Sequence, residues 1–199
     1  MEFFKPIVPS DKQHPNFRSV SDQGIYLAEQ REFTRWAKGF VDRDGKFVHE
    51  FQTTFNSSFW EIYLHAAFKE LGLTHDYSFE SPDFSLAGKQ SFVAEAVTAS
   101  NAEGYRPEWD HLELDDFPDV DIQNLLANAS VRLANSISAK HEKYLKRYSE
   151  QEHVKGKPFV LCVAPFEQPL FFSQNDNACL LYTSPSPRDQ RGSRMPSSA

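Results

Sequence analysis

The chain has 199 residues, 40% hydrophobic and 25% charged, a composition that suits about one globular domain with a sizeable core and argues against a disordered chain. Its net charge of −7 excludes a general basic surface of the kind that coats nucleic acid by neutralising phosphates, while leaving room for an acidic metal-binding site. The apolar runs, such as Phe159 to Ala164, fall far short of the roughly 18 residues that a membrane-spanning helix needs, and the N-terminal residues lack a signal-type apolar stretch, so we expect no membrane span and a cytoplasmic protein. Cys162 and Cys179 are the only cysteines, which leaves no disulfide framework and no cysteine zinc site.

In chain order, residues 1–16 carry Pro6, Pro9 and Pro15 without a stable period and read as an extended arm. Tyr26, Phe33, Trp36 and Phe40 recur at near-helical spacing and predict one helix within 21–40, ended by the turn Asp42-Arg43-Asp44-Gly45. That turn lacks the later ligands of a calcium loop and reads as a plain Asp-Gly turn. A helix is predicted over 47–71 with a break near Asn56-Ser57; Trp60, Tyr63, Leu64, Ala67, Phe68 and Leu71 form its apolar stripe, and Gly72 is its C-cap. Strands are predicted over 74–79, 82–86 and 91–99, the last apolar on both faces except at Glu95. Residues 101–121 are acidic and irregular, a solvated loop. A long helix over 122–148 and a buried strand over 158–164 complete a strand, helix, strand succession that favours a parallel crossover.

The composition changes at Cys179. Cys179-Leu180-Leu181-Tyr182-Thr183-Ser184-Pro185-Ser186-Pro187-Arg188-Asp189 and the closing Ser193 to Ala199 both match the in-frame translation of a transposase-type sequencing adapter, with Gln190-Arg191-Gly192 filling its variable index. We therefore expect residues 179–199 to be a disordered, non-native tail, and the natural sequence to stop near Ala178 with its C-terminal part incomplete.

Two acids stand out in the middle. If the hairpin turn is centred near Lys89, Asp83 and Glu95 are equidistant from it and sit opposite one another on paired strands, with side chains about 5 Å apart on one face. Facing carboxylates repel unless they share a cation or a proton, and Glu95, flanked by Phe92, Val93, Ala94, Ala96 and Val97, is costly to bury without a partner. The plainer reading of Asp83 is a strand-start residue after Pro82. On the long helix, Ile122, Leu126, Ala129, Leu133 and Ile137 build the inward stripe, and Lys140 falls within roughly 20° of Leu133. A lysine there either reaches the site, snorkels at the edge of the stripe, or pairs with Glu95 as a buried ion pair. Lys143 and Lys146 fall away from that line, towards solvent. His65 and His141 have no metal-ligand spacing with their neighbours.

The order helix, three strands, helix, strand, with Pro82-Asp83 at the head of the second strand and Glu95-Ala96-Val97 in the third, resembles the PD-(D/E)XK nuclease superfamily over about Phe47 to Ala164. Phe59 to Ala66, Pro82-Asp83-Phe84 and Val93 to Thr98 are further similar to uncharacterised bacterial proteins of this group. The resemblance implies an α/β fold with an αβββαβ restriction-endonuclease-like core and mixed sheet over 47–178, preceded by an N-terminal arm and helix over 1–46. It implies a divalent-metal-dependent nuclease acting on DNA, with Mg²⁺ or Mn²⁺ held by Asp83 and Glu95 and by Glu61, which matches an acid that many members place on the first helix. Ser58 and Glu61 also spell a helix-capping box. The departure is Val97, where the pattern has Lys; in some members that cation migrates to the next helix, which is the place of Lys140. The alternative implied by Val97 is a catalytically inactive module used for binding or assembly.

Overall fold

The computed structural model describes residues 1–22, 24–101, 103–110, 121–166, 169 and 171, with the side chain of Ile122 excepted. The tail over 179–199 and residues 111–120 of the acidic loop lie outside the described residues. Five α-helices and four strands are described: α1 (Pro15–Val20), α2 (Leu27–Trp36), α3 (Phe47–Thr53), α4 (Phe55–Glu70), β1 (Thr74–His75), β2 (Phe84–Ala87), β3 (Phe92–Ser100), α5 (Ile122–Lys143) and β4 (Phe159–Phe166). The fold is mixed α/β, and among the described residues no helix is long and apolar enough to cross a membrane.

The N-terminal third packs through aromatic rings. Phe3, Phe17, Phe33, Phe47, Phe51 and Phe55 form one buried cluster, which draws on residues from both sides of position 46. Phe3 meets Phe33 edge-on at 5.2 Å, and Phe33 stacks on Phe51 at 4.7 Å, geometries that add about 0.5–1.5 kcal/mol each beyond burial. The first 16 residues, expected as an extended arm, are packed against this cluster through Phe3. Gln52, fully buried on α3, accepts from the backbone N–H of Ile7 (2.9 Å) and Val8 (3.2 Å) and donates to the carbonyls of Lys5 (2.8 Å) and Phe3 (3.3 Å). Where one helix was expected over 21–40, α2 is shorter and α1 precedes it, started by Pro15 at its first position and capped by His14.

The break between α3 and α4 falls at Thr54, two residues before the expected place. The hydroxyls of Thr53 and Thr54 donate to the carbonyls of His49 and Glu50 four residues back, a pattern that bends helices, and Thr54 leaves the helical region at φ −128° and ψ 49°. Because α4 already starts at Phe55, Ser58 is an interior, buried residue and the capping box with Glu61 does not form. At the other end Gly72 takes φ 73°; its N–H donates to Lys69 and that of Leu73 to Phe68, which closes α4 as the sequence foretold.

The sheet order is β1-β2-β3-β4, antiparallel except for the parallel β3/β4 pair that α5 connects. β1 holds only Thr74 and His75 of the longer strand expected there: Asp76 turns the chain by accepting from Ser78 N–H. Strand alternation sends Phe84, Leu86 and Ala94 to one face, where they pack with Leu64 of α4. Val93 goes to the other face, against Tyr148 and Val154. The sheet therefore sits between α4 and α5, and Trp60 fastens α4 to β4 by donating its indole N–H to Cys162 O at 2.8 Å.

The acidic stretch after β3 is not uniformly solvated. Glu108 is almost fully buried, accepts from Asn16 (3.3 Å) and Asn56, and lies 3.8 Å from His14 Nε2. Burial and the nearby Arg18 charge hold His14 down at about 4, so this cluster joins the N-terminal arm to the loop with a neutral imidazole.

Candidate carboxylate and lysine site

The β2/β3 register pairs Phe84 with Ala94, Ser85 with Val93 and Leu86 with Phe92, a hairpin whose symmetry centre is Lys89. One step further puts Asp83 opposite Glu95. The two acids interlock through each other's backbone: Ala96 N–H donates to Asp83 Oδ2 at 2.8 Å, and Asp83 N–H to Glu95 Oε2 at 3.4 Å. The loop that delivers Asp83 is pinned from two directions. Arg43 donates to Phe79 O and, at 3.5 Å, to Asp83 O. His153 donates to Ser81 O at 2.7 Å and stacks on Phe79 at 3.8 Å.

Glu95 is fully buried, and α5 supplies its counter-charges. Lys140 Nζ lies 2.8 Å and Lys143 Nζ 3.0 Å from the same oxygen, Oε1. Lys140 thus stands where its place on the helix stripe put it. Lys143 corrects the sequence reading, which sent it to solvent: three residues on from Lys140, it is displaced by only about 60° around the helix, within reach of a four-carbon side chain. Val97 is buried and brings no charge.

The electrostatics follow from this geometry. Burial alone would raise Glu95, but the hydrogen bonds and charges of Lys140 and Lys143 outweigh it and hold Glu95 below the usual carboxylate range. Asp83 goes the other way. Burial, reinforced by the Glu95 charge, pushes it up to about 6 against the opposing pull of Ala96 N–H and the two lysines. Glu61, on α4, is pushed up to about 8, first by burial and next by the Asp83 charge, with Arg43 partly offsetting them. Its carboxylate has no hydrogen-bond or ion-pair partner among the described residues, and it lines a cavity of about 400 Å³ shared with Phe40, Arg43, Lys46 and Glu50. Cys162 senses the same field: burial, then the Asp83 charge, raises its thiol to about 11.

Among the described residues, no three His, Cys, Asp or Glu side chains converge into a ready-made metal group. The donor chemistry nevertheless fits a hard divalent ion. Glu61 is an unpartnered carboxylate under the influence of Asp83, Asp83 keeps Oδ1 outside its backbone bond, and Glu95 turns Oε2 towards Asp83 while the lysines take Oε1. His65 belongs elsewhere: Nδ1 meets the Tyr77 hydroxyl at 3.1 Å, beside the carbonyl of Lys38. Arg43, Lys143 and His153 are the residues of this site that sequence reasoning missed. Only Lys143 had a legible signal, its helical spacing from Lys140. Comparison with protein-family models, with curated proteins and with solved structures finds no match to this chain.

Proposed function

We propose that the chain is a divalent-metal-dependent phosphodiesterase acting on nucleic acid, with DNA as the first substrate to test, built on a restriction-endonuclease-like αβββαβ core. The observation that carries this reading is the meeting of Asp83 and Glu95 across the β2/β3 hairpin with Lys140 2.8 Å from Glu95. Asp83, Glu95 and Glu61 are the residues that would hold Mg²⁺ or Mn²⁺. Such an ion, when bound, would supply a water acidic enough to lose its proton and attack phosphorus as hydroxide, and positive charge for the phosphate oxygens. The chain's own contribution is placement and charge. Glu95 and Asp83 are fixed by backbone bonds on a rigid hairpin, and Lys140 brings from α5 the cation that Val97 lacks. The sheet and α5 shield one side of the site from water, which strengthens each of these interactions.

The test is cleavage of duplex and single-stranded DNA by the full chain with Mn²⁺. Asp83→Asn and Glu95→Gln should each lower the rate on the order of 100-fold or more while keeping the wild-type circular dichroism. Equal rates in wild type and both variants would reject the site.

A second reading has its own support. Glu95 is already paired with two lysines and Asp83 accepts from Ala96 N–H, so the cluster has internal partners without an ion, as in a binding or assembly module without activity. Calorimetry separates the two. On the enzymatic reading, Mn²⁺ binds at pH 7 and releases about one proton as Glu61 gives up its own, so the measured heat changes with the buffer's ionisation enthalpy. An inactive module takes up no Mn²⁺ in a manner that Asp83→Asn removes.

A further inference from the structure

The two lysines on Glu95 are not equivalent. Both reach Oε1, at 2.8 and 3.0 Å, and both side chains are about equally exposed, at 31% for Lys140 and 37% for Lys143. Their second partners differ. Lys143 Nζ stands 5.0 Å from the centroid of the Tyr148 ring, and Tyr148 is itself buried with Val93 and Val154. Lys140 makes no second hydrogen bond, ion pair or ring contact among the described residues, and it shares with Lys143 a longer-range pull on Asp83.

The backbone explains how Lys143 gets its second anchor. After Lys143 the helix continues as a π-turn over Tyr144–Tyr148, with Ser149 N–H donating to Tyr144 O at 3.0 Å, five residues back. In a regular α-helix a residue five positions on lies about 140° round the axis, out of reach. The wider π-turn brings Tyr148 back under Lys143, a cation and ring contact made possible by the local change of helix. Lys143 is thereby held on two sides, by Glu95 and by the ring. Lys140 is held on one side only, while both side chains keep partial contact with water.

We propose that the two lysines divide the work at Glu95: Lys143, clamped by Tyr148, is the fixed counter-ion and positioning residue, and Lys140 is the cation that leaves Glu95 to meet a phosphodiester. The inference rests on the phosphodiesterase reading for its substrate. Glu95 can release Lys140 without becoming an uncompensated buried charge because Lys143 stays behind.

The test uses the full chain with Mg²⁺ and a thymidine dinucleoside monophosphate as the phosphodiester, read by the side-chain Nζ and Cε resonances of both lysines. Lys140 should shift on titration and Lys143 should stay in place; equal shifts, a shift of Lys143 alone, or no shift of either would overturn the proposal. Cleavage of DNA with Mn²⁺ gives the second readout. Lys140→Met should lower kcat on the order of 100-fold with KM and melting temperature near wild type. Lys143→Met should lower the melting temperature, and Lys143→Arg should restore it by keeping the charge over the ring. A larger kcat loss in Lys143→Met than in Lys140→Met, at a temperature where both are folded, contradicts the division. If the wild-type chain cleaves nothing, the phosphodiesterase reading fails by itself and the resonance titration still decides between the lysines.

Discussion

Replacing Glu61 with Gln should leave stability close to wild type at pH 4.5 and raise it by on the order of 3–5 kcal/mol at pH 9, measured by urea denaturation with a chelator present. The sign comes from the direction of the shift. In the folded chain Glu61 is pushed up to about 8 from an ordinary value of 4.5, by burial and then by the Asp83 charge. Between those two pH values the folded state holds a proton that the unfolded state has lost, so stability falls as pH rises through the window and has lost the full amount above about 8. Gln never ionises and escapes the loss. Subtracting wild type from variant also cancels the parallel but smaller contribution of Asp83, which is raised to about 6. A stability difference that is the same at pH 4.5 and pH 9 would show that Glu61 is not held in a charge-hostile place. On the enzymatic reading the same substitution should weaken Mn²⁺ binding, so that a residue costly to the empty fold is useful to the loaded one.

Gln52→Leu should destabilise the chain by about 3–5 kcal/mol although the volume is nearly kept. Gln52 is fully buried and its amide serves four backbone groups of the N-terminal arm: the N–H of Ile7 and Val8 and the carbonyls of Phe3 and Lys5. Each buried group left without a partner costs about 1–3 kcal/mol. The loss is capped by detachment, because the arm can leave and hydrate at the expense of burying Phe3 and Val8. Hydrogen exchange distinguishes the two outcomes: faster exchange at Ile7 and Val8 alone marks a detached arm, and faster exchange through α3 as well marks global loss. A destabilisation below about 1 kcal/mol would mean that the amide is not the arm's anchor.

These two residues mark the boundary of what pattern reading can reach. Gln52 sits in a helical run of Phe, Val and Phe, where a polar residue reads as solvent-facing; its partners are backbone groups 44 to 49 positions away, which no periodicity records. Glu108 is a similar case. An acidic stretch reads as a solvated loop, but Asn16, Asn56 and His14, distant in sequence, accept it into the interior. The first strand is shorter than its composition suggests for a related reason: Thr74 to Phe79 has strand composition, but Asp76 turns the chain after two paired residues.

By itself the sequence determined the alternation of helices and strands, the C-cap at Gly72, the hairpin centred on Lys89 with Asp83 opposite Glu95, and the inward place of Lys140. Each follows from a local period or a symmetric count, which are properties of the chain alone. Tertiary structure decided the rest: that Glu95 takes two lysines, that a π-turn sets Tyr148 under Lys143, that Glu61 faces a cavity instead of capping its helix, and that the N-terminal arm is packed. Those outcomes depend on how elements far apart in sequence meet, and on the cost of burying charge, which is fixed only once the surroundings of each group exist.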